Sequence, residues 1–182
     1  MRPHMRQGTD LLDKSRKDVY RACMNSKAQQ RIRRLQLLSH PEGGWYRETY
    51  RASEMVQYNG QPRSASTAIY FLLEAGQIST LHRIDADEQW HHYEGQRLRI
   101  HVLTEDGYTS HVLGPLDMEG AQPHCWVPAG AWFGAEVIEP DGFALVGCTV
   151  APGFEFSAFE LADAETLIKT WPDQAALIQR MT

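Results

Sequence analysis

The chain has 182 residues, a formal net charge of −5 and an apolar content of 42%, enough for the core of one globular domain. No stretch approaches the ~20 consecutive apolar residues of a membrane-spanning helix, and the opening thirty residues lack the apolar segment of a secretory signal, so a cytoplasmic protein that does not engage a membrane is expected. Residues 1–34 carry ten Lys/Arg and three Asp, while 35–182 carry eight Lys/Arg and twenty Asp/Glu. The acidic body argues against nucleic acid as a partner. Three cysteines, Cys23, Cys125 and Cys148, form no Cys-x-x-Cys pair, which points to a reducing compartment and buried thiols rather than a disulfide or zinc framework.

In chain order, residues 1–27 are polar and aperiodic and read as a basic, flexible extension, with 1–23 expected to be dispensable. A single domain then covers 28–182. Residues 28–38 place Ile32, Leu35 and Leu38 on one helical face, and Pro41, Gly43 and Gly44 end that helix. From Trp45 the pattern becomes short strands rich in Val, Ile, Thr, Tyr and Trp: 45–51, 65–73, 78–84, 88–94, 97–103, 108–113, 124–127, 132–138 and 143–150. Asn59-Gly60, Asp106-Gly107 and Asp141-Gly142 supply turns between them. Such spacing predicts an all-β sandwich or barrel. Asp163 is placed to cap a helix over 164–170, and Pro172 to start a second one with Leu177, Ile178 and Met181 inward.

The stretch from Gly76 to Gly95 carries the chemistry. Gly76, His82, Glu88 and Gly95 fall at the spacing of the first cupin motif, with Ile84 at its second His position. Pro128-Ala129-Gly130 fits the centre of the second motif, but Phe133 stands at its His position and Val137 at its Asn position. In that superfamily three imidazoles and a carboxylate from facing strands hold a metal. Here two of the four ligand positions are apolar, so no cofactor is expected; a divalent metal held by His82, Glu88 and either His91 or His92 is the alternative. Strict alternation puts Glu88, Trp90 and His92 on one strand face and His91 on the other, whereas a bulge between 88 and 91 would exchange the two histidines.

Five blocks, HPEGGWYRETYR (40–51), STAIYFLL (66–73), LHRIDADEQWHHYEG (81–95), WVPAGAWFGAEV (126–137) and ALVGCTVAPGFEFSAFE (144–160), together resemble the fifth cupin family, a domain of unknown function. The resemblance implies a double-stranded β-helix, the RmlC-like jelly-roll barrel, with a short N-terminal and two short C-terminal helices, and a homodimer to which the 40–60 segment contributes. It marks Tyr46, Arg47, Glu48, Tyr50, His82, Glu88, His91 and Glu155 as the polar site residues and favours His91 over His92. Trp90, Trp132 and Phe133 either line a ligand pocket or form barrel core. Alternation puts Tyr46, Glu48 and Tyr50 on one face of their strand.

Three functions are compatible with these residues. One is acid–base chemistry, without a metal, on a small polar molecule such as a sugar or nucleotide-sugar. It is an analogy, at the level of the fold, with sugar-epimerising cupins, and has His82 or His91 as base and Glu88 orienting it. The others are a metal-dependent oxygenase or isomerase and a non-catalytic small-ligand-binding module.

Overall fold

The computed structural model describes residues 27–182. The expected extension over 1–27, Lys27 apart, and the dispensability of 1–23 lie outside the described residues. Helix α1 (27–35) buries Ala28 and Ile32. It ends at Gln36, whose φ of 54° is left-handed, and the amide of Leu37 closes back on the carbonyl of Ile32 at 2.9 Å. That left-handed turn changes the phase of the chain. Leu37 therefore packs inward, and Leu38, expected on the apolar face, is 67% exposed.

Thirteen strands follow among the described residues: β1 (Leu38–Ser39), β2 (Trp45–Arg51), β3 (Met55–Tyr58), β4 (Gln61–Ser64), β5 (Thr67–Glu74), β6 (Ile78–Arg83), β7 (Asp87–Gly95), β8 (Leu98–Thr104), β9 (Gly107–Leu113), β10 (His124–Val127), β11 (Trp132–Val137), β12 (Phe143–Ala151) and β13 (Glu160–Leu161). They form a six-stranded sheet in the order β1-β2-β5-β12-β7-β10 and a five-stranded sheet in the order β13-β6-β11-β8-β9. Phe71, Leu73, Trp90 and Val146 of the first sheet pack with Ile100, Val102, Phe133 and Ala135 of the second. This two-sheet sandwich of antiparallel strands is the expected jelly roll.

The hairpin β3–β4 was not expected as strands, although its Asn59-Gly60 turn was. Both turn residues take positive φ, 49° and 76°, as a two-residue hairpin requires. The strands themselves carry almost no buried side chain, and Pro62 sits within one of them, so no periodic apolar signal marks them.

Outside the sandwich, α1 covers Leu72, Phe143 and Leu145. It is tied down by a bidentate pair from Arg31 to Glu94 at 2.7 and 2.7 Å. Helices α2 (Ala164–Thr170) and α3 (Ala175–Met181) form as predicted, with the Asp163 side chain accepting from the Thr166 amide. Leu167, Ile178 and Met181 close the outer face of the second sheet over Leu81, Leu103 and Trp132.

Candidate functional site

The site is assembled around a five-residue loop. Between β1 and β2 the chain runs His40-Pro41-Glu42-Gly43-Gly44, with φ of 107° at Gly43 and 71° at Gly44. A Cβ at Gly43 would lie 2.3 Å from the Ile78 carbonyl oxygen, and one at Gly44 2.8 Å from that of Leu72. Only glycine permits both the conformation and the close approach. The loop therefore lies flat against β5 and β6, and the Glu42 carbonyl accepts from the Thr80 amide at 2.7 Å. His40 and Glu42 are thereby turned into the barrel, where β6 delivers His82 and β7 delivers Glu88.

These four groups form the polar floor of one cavity. His82 donates from Nδ1 to the Thr80 carbonyl at 2.7 Å, which leaves Nε2 facing the Glu42 carboxyl 3.2 Å away. The other Glu42 oxygen accepts from Ser79 Oγ at 2.9 Å, and the Glu42 amide donates to His40 Nδ1 at 3.3 Å. Burial raises the Glu42 carboxyl to about 8, against the pull of the Ser79 hydrogen bond. Burial likewise raises Glu88 to about 7, opposed by His82 and reinforced by Glu42. Desolvation lowers both imidazoles, His40 to about 4 with help from His82. Burial thus favours the protonated form of Glu42 and the neutral form of the His82 imidazole 3.2 Å from it, while Glu88 is poised near neutrality to gain or lose its proton.

Above this floor the walls are aromatic: Tyr46, Phe71, Phe154, Phe156 and Phe159. His40 stands edge-on to Tyr46 at 4.4 Å and to Phe71 at 6.1 Å between ring centres. At the rim, Arg51 binds Glu48 through Nε and Nη2, Glu155 through Nη1, and the Phe154 carbonyl. The cavity has a volume of about 140 Å³. A space of that order accommodates a benzene-sized molecule.

Of the residues singled out from sequence, Tyr46, Glu48, His82, Glu88 and Glu155 line this cavity. His91 does not. The pairing of β7 with β12 runs in unbroken register from Asp87 to His92 and shifts only beyond it, so no bulge falls between 88 and 91. Alternation holds, and His91 points outward beside His124, ring centres 5.0 Å apart, with Nε2 3.4 Å from Thr149 Oγ1. His92 is spent on the Gln96 carbonyl at 3.2 Å and is also outside the cavity. Trp90 and Phe133, each 1% exposed, are barrel core. Phe133 nevertheless backs the site, its ring 4.1 Å from that of His82. Trp132 sits under the C-terminal helices with the Arg83 guanidinium 4.6 Å from its ring. Arg47 lies on the outer face over Tyr70.

Tyr50 is 55% exposed, contrary to the shared face expected with Tyr46 and Glu48. The register of β2 on β5 shifts between Glu48 and Tyr50, and that bulge sends Tyr50 outward and brings Arg51 to the rim. Sequence reasoning missed His40, Glu42 and Arg51 as site residues. Their one signal was membership in the block HPEGGWYRETYR, where Pro41 and the two glycines read only as a helix stop.

The donor set does not fit a metal of the cupin type. Ile84 and Phe133 occupy two ligand positions, and His82 has one nitrogen committed to a backbone carbonyl and the other to Glu42. Among the described residues, no group of three His, Cys, Asp or Glu is disposed to hold a metal ion. Among the described residues, no helix is long and apolar enough to cross a membrane.

Known proteins of similar sequence and shape share this architecture. Protein SO0799 from Shewanella oneidensis, solved by X-ray crystallography, is 40% identical, with 85% of this chain and 96% of that one covered and a TM-score of 0.78. A hypothetical protein from Leishmania major is 35% identical over 85% of this chain and 98% of its own, with a TM-score of 0.80. The uncharacterized protein YML079W of Saccharomyces cerevisiae is 27% identical over 169 residues, 83% of this chain and 84% of that protein. The family model of the Cupin superfamily (DUF985) matches residues 29–162, and the chain belongs to that family, a cupin domain of unknown function.

Proposed function

We propose that the protein binds one small polar organic molecule, no larger than a monosaccharide where it is enclosed, and moves a proton on it by metal-independent acid–base chemistry of the epimerase or isomerase type. The observation that carries this reading is the buried Glu42–His82 pair, 3.2 Å apart, beside a second carboxyl, Glu88, in an aromatic-walled cavity. A proton donor and a proton acceptor with displaced pKa values, in one dry space, are the elements of such catalysis. Glu88, with a pKa near 7, takes the proton; Glu42, its carboxyl 3.2 Å from His82, returns one.

The small volume opposes a nucleotide-sugar, and so does the rim, where among the described residues the one arginine is already paired and no free cation awaits a diphosphate. The test is to treat the full-length protein with a chelator and incubate it in D2O with a panel of monosaccharides and small hydroxy and amino compounds, reading deuterium at carbon by mass spectrometry. Incorporation that survives the chelator and disappears in Glu42→Gln is expected. Binding without incorporation by any compound would instead support a non-catalytic module, and incorporation abolished by the chelator a metal-dependent one.

A further inference from the structure

The charge inventory of the cavity narrows its ligand. Four glutamates line it, Glu42, Glu48, Glu88 and Glu155, against one arginine, Arg51. That arginine is consumed: its Nε and both Nη atoms go to Glu48, Glu155 and the Phe154 carbonyl. Among the described residues, no lysine or second arginine reaches the lining. An anion entering the space would meet carboxyls with no free cation to receive it.

Glu88 is the second, independent observation. It is 8% exposed and lines the cavity, and its sole hydrogen-bond partner among the described residues is the thiol of Cys148, a weak donor. A buried carboxyl left so poorly satisfied, in a space with room for a molecule, calls for a donor from a ligand. Tyr46, Phe71, Phe154, Phe156 and Phe159 surround that space. The negative faces of aromatic rings attract a cation and do nothing comparable for a neutral or anionic group.

We infer that the cavity takes a small organic cation, an amine or ammonium compound whose charge lies against Glu88 and Glu42 within the aromatic wall. This rests on the cavity being the ligand site, and it adds the ligand's charge to that reading. The groups that titrate around the bound cation are His40 and Glu42 from the loop, Tyr46, Glu48 and Arg51 from β2, His82 from β6, Glu88 from β7, Cys148 from β12 and Glu155 from the segment after it. Without a ligand, burial leaves Glu42 and Glu88 holding protons near neutrality, so a cation displaces protons as it binds.

The test is calorimetry on the full chain near neutral pH with three probes of one shape: benzylamine, benzyl alcohol and benzoate. Benzylamine should bind at least about tenfold tighter than benzyl alcohol. Its binding should release protons to the buffer, seen as an enthalpy that depends on the buffer's ionisation. Benzoate should not bind. In Glu88→Gln the preference for benzylamine over benzyl alcohol should collapse, with an unchanged far-ultraviolet circular dichroism spectrum and a cooperative thermal melt showing that the variant folds. Benzyl alcohol or benzoate binding as well as benzylamine would overturn the cation and leave the binding cavity standing. No binding by any of the three at millimolar concentration would overturn both.

Discussion

His82 Nε2 faces the Glu42 carboxyl at 3.2 Å while the other ring nitrogen of His82 donates to the Thr80 carbonyl at 2.7 Å. With Nδ1 committed as a donor, Nε2 is left to meet the Glu42 carboxyl of the glycine-rich loop before β2. The pair is buried, so removing either partner strands the other. His82→Ala should lower stability by about 1–3 kcal/mol, and the double variant with Glu42→Gln should cost less than the sum of the two single changes by about 1 kcal/mol or more. Denaturant melts of the four proteins measure this coupling. Strict additivity would mean that the two side chains do not interact.

The same burial gives stability a characteristic pH dependence. The native Glu42 and Glu88 carboxyls, raised to about 8 and about 7, keep protons that the unfolded chain loses from about pH 4 upward. The native state then binds more protons than the unfolded one, and stability falls as pH rises through the native values. His40, lowered to about 4, works in the opposite sense, but only up to the unfolded histidine value of about 6.5. Above that point the carboxyls set the slope, and near about pH 8.5 the raised Cys125 and Cys148 thiols add to it in the same sense. The melting temperature should therefore decline from about pH 6.5 to about pH 8.5, and Glu42→Gln should make the decline shallower. A wild-type melting temperature that is flat or rising over that interval would contradict the protonated state of Glu42.

What the sequence disclosed and what it concealed divide along a physical line. The spacing Gly76, His82, Glu88, Gly95 read correctly for the side chains that enter the barrel, because alternation in β6 and β7 is unbroken where it matters. Alternation also gave the right side for His91, which the family resemblance favours as a site residue and which the structure places outside this cavity. Tyr50 was misassigned and Arg51 missed because one bulge in β2 inverts the facing of every later residue, and a bulge leaves no trace in the apolar pattern. His40 and Glu42 were invisible as site residues for a different reason. A loop has no periodicity, and its inward course depends on two close backbone approaches that only coordinates reveal.

That loop course can be tested at Gly43. Any side chain there must take φ of 107° and place its Cβ 2.3 Å from a backbone oxygen of β6. The obstacle is main chain within a sheet and cannot swing aside. Gly43→Ala should cost about 2–4 kcal/mol and displace Glu42, so that ligand binding falls with stability. At Gly147 a Cβ would instead meet the hydroxyl of Tyr93, at 2.2 Å, the far end of a side chain that is 54% exposed. Gly147→Ala should therefore cost less than about 1 kcal/mol. Thermal melts that rank the two variants the other way would refute the account of both sites.

The cysteines offer a chemical check on how dry the interior is. Burial raises the Cys125 thiol to about 12, with Glu88 adding to the effect, and burial with the adjacent Glu88 holds Cys148 well above the ordinary thiol value. Neither is a thiolate at pH values where alkylating reagents act. Iodoacetamide should leave both unmodified in the native protein and label both after denaturation, as read by peptide mass spectrometry. Rapid native labelling of Cys148 would show that the cavity floor is wet.

The last prediction concerns assembly, and we propose a homodimer to which the 40–60 segment contributes. Strand β1 pairs only with Trp45 and Tyr46, so beyond them β2 has β5 on one side and no strand on the other among the described residues. An open edge of this kind is a template for pairing and is ordinarily covered. Close to it in sequence, Tyr50, Met55 and Val56 are 55%, 59% and 38% exposed, large apolar groups left in water by the isolated chain. A second copy related by a two-fold axis would cover the edge and these side chains together. Light scattering at tens of micromolar should give twice the chain mass of 20.7 kDa. Tyr50→Asp combined with Val56→Asp should shift it toward the monomer with little change in far-ultraviolet circular dichroism, since neither side chain is buried in the single chain. A wild-type mass equal to one chain would defeat the proposal. A dimer that survives both substitutions would place the contact elsewhere on the surface.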